Sequence, residues 1–188
     1  MRHRGVAVRL CLVCLCLALA AGCAKSPTAG TQRLKAGDLA PTYNLPTLDG
    51  DQDIDLARVF QSNAATVVII WSMECPTCRE ALVQCDEVFK SFDRRGVDFL
   101  GINFDTENIV GVRSFLRTEA VSFTNLWDPR TRAARGYTAK DYTFSAFVVD
   151  RNRGIALAQY DHPPDLAAIL TQAIDKLLAK ETGGTPGK

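Results

Sequence analysis

Two cysteines separated by two residues are the side chains whose type and spacing favour chemistry in this chain of 188 residues. They stand in the string Cys75-Pro76-Thr77-Cys78, after a β-branched run and at the start of a predicted amphipathic helix. A cysteine at a helix N-terminus lies over unpaired backbone N–H groups and the positive end of the helix dipole, and both favour the thiolate. Pro76 suits the first helical position, where no N–H group is needed.

This spacing predicts different roles for the two thiols. Cys75, at the exposed mouth of the helix, is the predicted attacking thiolate. Cys78 lies one turn deeper, within disulfide reach, and is predicted to resolve the mixed disulfide. The carboxylate of Glu74 opposes the thiolate, whereas the cation of Arg79 favours it. Thr77 adjoins the pair, and Trp71 is expected to be core packing beneath it.

Two other uses of this motif remain open, an inert disulfide and a metal site. Zinc takes a second pair of ligands, and the chain after its predicted signal offers only Cys85 and His162. A non-enzymatic module for copper or another soft metal, using Cys75, Cys78 and His162, is the main alternative from another class. Cys85 is otherwise predicted to be a buried core thiol, and His162 to lie in a surface loop.

The N-terminus is typical of an export signal. It carries Arg2, Arg4 and Arg9 without an acidic residue, followed by an apolar run from Leu10 to Ala21 that is too short to span a bilayer. The string Leu19-Ala20-Ala21-Gly22-Cys23 resembles the lipobox of bacterial lipoproteins, which predicts lipidation of Cys23; an ordinary cleavage site is the alternative. Several acyl chains would give stable anchoring. Ala24, in place of an Asp, favours the outer membrane.

The amino-acid composition limits the class of protein and the number of domains that the chain can form. The 22 Lys and Arg residues nearly balance the 21 Asp and Glu residues, which speaks against a nucleic-acid partner. With 47% hydrophobic and 23% charged residues, the chain fits one globular domain. We expect a signal over residues 1–22, an anchored flexible tether over 23–37, the domain over 38–180 and a disordered tail over 181–188. No cofactor is predicted.

The periodicity of the apolar residues alternates between strand and helix types, which predicts a three-layer α/β/α sandwich with a mixed central sheet. The early strands are expected to be parallel and the last two to form a hairpin. The predicted strands cover residues 43–48, 66–71, 97–103, 123–126, 144–149 and 155–160. The predicted helices cover residues 76–94, the region of 109–116, a possible turn within 130–135, and the region of 166–178.

Several stretches resemble the membrane-tethered thioredoxin-like proteins of bacteria, the thiol-disulfide oxidoreductases of cytochrome c maturation, which border on the peroxiredoxins. The matching strings are Ala40-Pro41-Thr42-Tyr43-Asn44-Leu45, Val67-Val68-Ile69-Ile70-Trp71-Ser72 leading into the cysteine motif, residues 96–103, and Ala146-Phe147-Val148-Val149-Asp150. This resemblance implies a thioredoxin fold that faces the periplasm, with Cys75 and Cys78 as the redox pair. It also implies protein thiols or disulfides as partners and a membrane electron donor.

Two departures from that family pattern affect the site. The position of the family's cis-proline, six residues before Asp150, is Phe144, so we expect a trans bond and an altered substrate groove. Glu74 stands where many members have Trp. Ser72 matches a Thr or Ser that peroxiredoxins keep, but their upstream proline falls on Val68, so peroxidase chemistry is a minor alternative.

The basic cluster of Arg130, Arg132, Arg135 and Lys140 is expected to be a solvated face, with docking of an acidic partner as the alternative.

Overall fold

A computed structural model describes residues 33–92, 95–138 and 143–183 of the chain. The predicted signal, Cys23 and Lys140 lie outside these ranges. The described elements follow one another as β1 (Asn44–Pro46), β2 (Asp53–Asp55), α1 (Leu56–Ser62), β3 (Ala65–Trp71), α2 (Pro76–Ser91), β4 (Val97–Asn103), α3 (Ile109–Thr118), β5 (Thr124–Trp127), α4 (Arg132–Thr138), β6 (Ser145–Asp150), β7 (Ile155–Tyr160) and α5 (Leu166–Gly183).

A five-stranded mixed sheet forms the centre of the domain, in the order β5-β4-β3-β6-β7. The first three of these strands are parallel to one another, whereas β6 runs antiparallel to β3 and β7 antiparallel to β6. Buried apolar residues form one cluster on each face of the sheet. The predicted α/β sandwich with a mixed sheet is therefore confirmed.

The strand that leads to the cysteine motif is buried along its whole length, as its continuous β-branched run predicts. Trp71 at the end of β3 pairs with Asn103 at the end of β4, which in turn pairs with Trp127 at the end of β5. Ser145 begins β6 at this same edge, and Tyr160 ends β7 beside it. We call this edge the carboxyl end of the sheet.

The chain between β1 and β3 contains two elements that we did not predict. Strand β2 pairs antiparallel with β1, and the Asp55 carboxylate accepts a hydrogen bond of 2.9 Å from the Ala57 N–H at the start of α1. Leu56 and Phe60 are the buried residues of this helix. The signal was present, because an N-cap Asp precedes apolar residues spaced at three and four, but the seven-residue helix is too short for a strong periodicity.

Both expected boundaries of the domain need correction. Residues 33–40 run beside β7, where the Gly37 N–H donates to the Ile155 carbonyl and the Ile155 N–H to the Asp38 carbonyl, each over 2.9 Å. Residues 33–37 therefore belong to the domain and not to the tether. At the other terminus, α5 continues through Gly183, so residues 181–183 are helical and not part of a disordered tail.

None of the helices in the described ranges is both long enough and apolar enough to span a bilayer.

Candidate redox site

The cysteine motif occupies the turn between β3 and α2, at the carboxyl end of the sheet. Cys75 is the N-cap residue of α2, with extended backbone dihedrals, and Pro76 occupies the first turn. The Cys75 Sγ accepts a hydrogen bond of 3.1 Å from the Cys78 N–H, one of the donors that a helix N-terminus leaves unpaired. A backbone N–H group therefore already points at this sulfur, as it would at a thiolate.

Cys75 and Cys78 form a disulfide, with their Cα atoms 5.2 Å apart. The two sulfurs differ in access to solvent. Cys78 is 0% exposed, whereas Cys75 is partly exposed and is flanked by the exposed residues Glu74, Pro76 and Thr77. The Thr77 Oγ1 lies 3.4 Å from the Cys75 Sγ. An incoming thiol therefore meets Cys75 first.

A cleft of about 480 Å³ opens beside Cys75. The carboxylates of Glu74, Asp105 and Glu107 line it, and none of its lining residues is a Lys or Arg. Glu74 belongs to the loop after β3, and Asp105 and Glu107 belong to the loop after β4. The remaining lining residues are Ser72, Phe104, Thr106 and Asn108. The cleft gives a visiting molecule access to Cys75 from an acidic side.

Asp105 is the residue of this site that sequence reasoning missed. It is buried at 8% exposure, and its carboxylate accepts three hydrogen bonds. The Ser72 hydroxyl donates over 2.5 Å, the Met73 N–H over 2.8 Å and the Asn103 side-chain amide over 2.7 Å. The Ser72 Oγ in turn accepts from the Glu74 N–H over 3.0 Å. Each residue between β3 and Cys75 is thus tied, directly or through Ser72, to the Asp105 carboxylate.

A signal for this network exists in the sequence. The string Asn103-Phe104-Asp105 follows a predicted strand, as Ser72 follows another, and parallel neighbouring strands end at the same edge of a sheet. The missing step is the pairing of β3 with β4, which places Trp71 opposite Asn103.

Trp71 packs in the buried cluster that also contains Cys78, so it lies in the core beneath the site, as predicted. Its indole N–H donates a hydrogen bond of 3.0 Å to the Asn125 side-chain oxygen on β5, and its ring centroid lies 5.9 Å from that of Phe115 on α3. These contacts fix the end of β3 against two neighbouring elements.

Phe144 lies in the same buried cluster as Cys78 and is 1% exposed. The peptide bonds of the described ranges are trans, the bond before Phe144 among them. The ring of His162 lies 6.1 Å from that of Phe144 in an edge-to-face arrangement. His162 is partly buried, and its Nε2 has no hydrogen-bond partner among the described residues, so this ring is more enclosed than the predicted surface loop implies.

The described ranges contain no group of three or more His, Cys, Asp or Glu side chains arranged to hold a metal ion. His162 is therefore not brought into one ligand set with Cys75 and Cys78. Cys85 is a free thiol at 0% exposure, which confirms the predicted core position, and burial together with the Asp86 carboxylate raises its pKa. Its burial separates it from the exchange chemistry of Cys75.

The basic residues Arg130, Arg132 and Arg135 are exposed on and before α4. They follow β5, whereas Cys75 follows β3, and none of them lines the cleft beside Cys75.

Comparison with known proteins places this chain in a family. The model of the AhpC/TSA family matches residues 36–158. A Mycobacterium tuberculosis protein that carries a peroxiredoxin name is 26% identical over 142 residues, which are 70% of this chain and 88% of that protein. The peroxiredoxin Bcp of Escherichia coli is 33% identical over 95 residues, 50% of this chain and 58% of that protein.

A solved structure is similar to this chain as well. A Chlorobium tepidum protein named for DsbE-type thiol:disulfide interchange superposes with a TM-score of 0.68 at 25% identity, and the match covers 77% of this chain and 99% of that one. The family match agrees with the fold and with the cysteine pair at the start of α2. This chain therefore belongs to the AhpC/TSA family and is a thiol oxidoreductase with a thioredoxin-like fold.

Proposed function

We propose that this chain is a lipid-anchored oxidoreductase that faces the periplasm and exchanges dithiol for disulfide with protein partners through Cys75 and Cys78. The observation that carries this proposal is the joined pair itself, with a partly exposed Cys75 capping α2 and a fully buried Cys78 behind it. The order of exposure supports Cys75 as the cysteine that the partner contacts first.

The exchange balances without a further reactant. In the reduced protein, the Cys75 thiolate attacks one sulfur of a partner disulfide, which forms a mixed disulfide and releases the other partner sulfur as a thiolate. The Cys78 thiolate then attacks the Cys75 Sγ, and the second partner sulfur leaves. Two electrons and two protons pass from this chain to the partner. The reverse sequence oxidises a partner dithiol.

The helix terminus supports the first step. When Cys75 is reduced, the Cys78 N–H at 3.1 Å and the positive end of the α2 dipole stabilise its thiolate. The acidic cleft acts in the opposite sense, because Glu74, Asp105 and Glu107 disfavour a further negative charge. The helix terminus therefore favours the thiolate form of Cys75, whereas the acidic cleft disfavours it.

The location rests on the N-terminal residues and on one relative. Export is supported by the basic and apolar signal over residues 1–22, and anchoring by Cys23 at the end of the lipobox-like string. The DsbE-type name of the Chlorobium tepidum protein supports the bacterial cell envelope. Ala24 favours the outer membrane over the inner one.

Peroxidase activity is a second candidate, favoured by the peroxiredoxin names of the Mycobacterium tuberculosis and Escherichia coli relatives. In that reaction the Cys75 thiolate attacks a hydroperoxide oxygen, an alcohol or water leaves, and Cys78 converts the sulfenic acid to a disulfide with release of water. The Ser72 hydroxyl that would serve this step donates instead to Asp105, and Val68 occupies the proline position inside β3. Thiol exchange is therefore the better supported reaction.

Three parallel assays on the full chain separate the candidates. We expect wild type to catalyse the reduction of insulin disulfides by dithiothreitol, and Cys75→Ser to lose this activity. Cys85→Ser is the matched control, because Cys85 is buried and outside the pair. Saturable consumption of hydrogen peroxide without insulin turnover would instead establish the peroxidase. Stoichiometric metal that is lost in Cys75→Ser, with no turnover in wild type, would establish a metal-binding module.

A further inference from the structure

The first described residues lie along the outer edge of β7 as a strap, which we define as residues 33–40. At one end of the strap, the Ala40 N–H donates to the Arg153 carbonyl over 2.8 Å. In its middle, hydrogen bonds join Gly37 and Asp38 to Ile155. At its beginning, the Tyr160 hydroxyl donates to the Leu34 carbonyl over 3.0 Å. The strap therefore runs antiparallel to β7, from the last residue of that strand back past its first.

The strap begins at the carboxyl end of the sheet. Tyr160 pairs with Ser145, and Ser145 pairs with Ile70, the residue before Trp71. The Arg33 guanidinium lies 4.8 Å from the centre of the Tyr160 ring, so the beginning of the strap is held by a stacking contact as well as a hydrogen bond. Three strand spacings of about 4.8 Å separate the strap from β3, so the strap starts about 14 Å across the sheet from the strand that leads to Cys75.

The opposite end of the sheet lies far from this point. It is formed by the turn between β6 and β7 around Asn152 and by the start of β3 at Ala65. A domain of about 150 residues is about 40 Å across. The chain therefore enters the domain at the end of the sheet where the disulfide lies. The Asn152 turn is at the opposite end of the sheet.

The chain between the proposed anchor and the strap is short. Ten residues lead from Cys23 to Arg33. A chain of that length reaches at most about 35 Å. This limit is less than the width of the domain, so the end at which the chain enters is held nearest to the attachment point.

We propose that the strap turns the carboxyl end of the sheet, and with it the Cys75–Cys78 disulfide, toward the lipid surface to which Cys23 is attached. The partner is then a protein whose cysteines stand close to that same surface. This inference rests on the lipid attachment in the proposed function. It goes further, because an anchor alone would permit any orientation of the domain, including one with the disulfide directed away from the membrane.

Energy transfer to a lipid-bound acceptor tests this orientation. The full lipidated chain is reconstituted in vesicles that contain a rhodamine-labelled lipid, after a donor dye is attached at Arg130→Cys or at Asn152→Cys. Both positions are exposed, Arg130 after β5 at the carboxyl end and Asn152 at the opposite end. In the oxidised protein the introduced thiol is the reactive one, because Cys75 and Cys78 are joined and Cys85 is buried.

We expect more efficient transfer from the dye at position 130 than from the dye at position 152. Inserting about twenty Gly and Ser residues after Gly30 raises the maximum reach to about 105 Å and should reduce this difference. Equal transfer from the two positions, or greater transfer from position 152, with the protein still bound to vesicles, would overturn the orientation alone. Release of wild type from the vesicles to the level of Cys23→Ser would overturn the anchor, and the orientation with it. Insulin turnover by the same samples reports separately on the thiol exchange.

Discussion

The Ser72 hydroxyl donates a hydrogen bond of 2.5 Å to the Asp105 carboxylate, which joins the residue after β3 to the loop after β4. Through this contact and the Met73 N–H, one buried carboxylate holds the chain that leads into the cysteine pair. The same carboxylate places a negative charge in the lining of the cleft beside Cys75. Its removal should therefore change both the electrostatics and the geometry of the redox pair.

Asp105→Asn should increase the thiolate fraction of reduced Cys75 at a given pH. The Asn oxygen can still accept from Met73 and Asn103 while its amide donates to the Ser72 Oγ, so the shape is kept and the charge is lost. We expect the pH midpoint of Cys75 alkylation to fall by about one unit and the redox midpoint to rise by about 30 mV. Asp150→Asn, at the other end of the sheet, is the matched control. An unchanged alkylation profile in Asp105→Asn would show that this charge does not act on Cys75.

Glu74→Gln should have a smaller effect of the same sign. Its carboxylate is exposed and adjacent to Cys75, so we expect the alkylation midpoint to fall by about 0.2 to 0.7 unit at low salt. The effect should disappear near 1 M salt, where the Debye length is about 3 Å. Glu80→Gln, exposed one turn further along α2, controls for net charge. Equal shifts in the two variants would contradict a local action of Glu74.

Phe144→Ala should destabilise the oxidised protein by about 3–5 kcal/mol, because it leaves a cavity in the cluster that contains Cys78. Phe144→Leu keeps most of the volume and should cost less than about 1.5 kcal/mol. Urea unfolding followed by fluorescence measures both variants. A loss below 1 kcal/mol in Phe144→Ala would mean that this aromatic ring does not support the packing around Cys78.

The Asp86 carboxylate should make the stability of the domain depend on pH in the acidic range. Burial alone raises the pKa of Asp86, but the hydrogen bonds from Lys90 and from the Ser122 N–H and hydroxyl outweigh it and hold the pKa below its usual range. Since the folded pKa is the lower one, the ionised carboxylate stabilises the fold above about pH 4, and this contribution is lost as the pH falls through the folded value.

Asp86→Asn should therefore lower the free energy of unfolding by about 1–3 kcal/mol at pH 7, because the ion pair with Lys90 is lost and the Ser122 hydrogen bonds then end on a neutral amide. The difference from wild type should narrow below about pH 4. Glu87→Gln, exposed next to it on α2, is the control and should show no such dependence. A difference that stays constant from pH 7 to pH 3 would contradict the assigned role of the Asp86 charge.

The local parts of the site could be predicted from sequence. The β-branched run before Cys75 is fully buried as β3, and Pro76 begins a helix because its ring suits the first turn. The disulfide, the buried Cys78 and the buried Cys85 follow from spacing within that one helix. These features depend on neighbours in the chain, so their patterns are visible in a short window.

The parts that escaped prediction depend on distant pairing. Asp105 meets Ser72 across 33 positions, and only the parallel register of β3 and β4 brings them together. The strap likewise meets Tyr160 across 126 positions, and its polar, aperiodic residues resemble a linker because backbone groups make most of its contacts. Such contacts leave no periodicity for a sequence to display.

The most direct test of the redox pair is differential alkylation of the full chain across a series of thiol redox buffers, read by mass spectrometry. We expect Cys75 and Cys78 to become reduced together, as one two-electron couple with a midpoint between about −270 and −120 mV, the range of exchanging dithiols. Cys85 should stay unlabelled until the protein is unfolded. A pair that remains oxidised below about −300 mV, as structural disulfides do, or two cysteines that titrate separately, would contradict the exchange role of this pair.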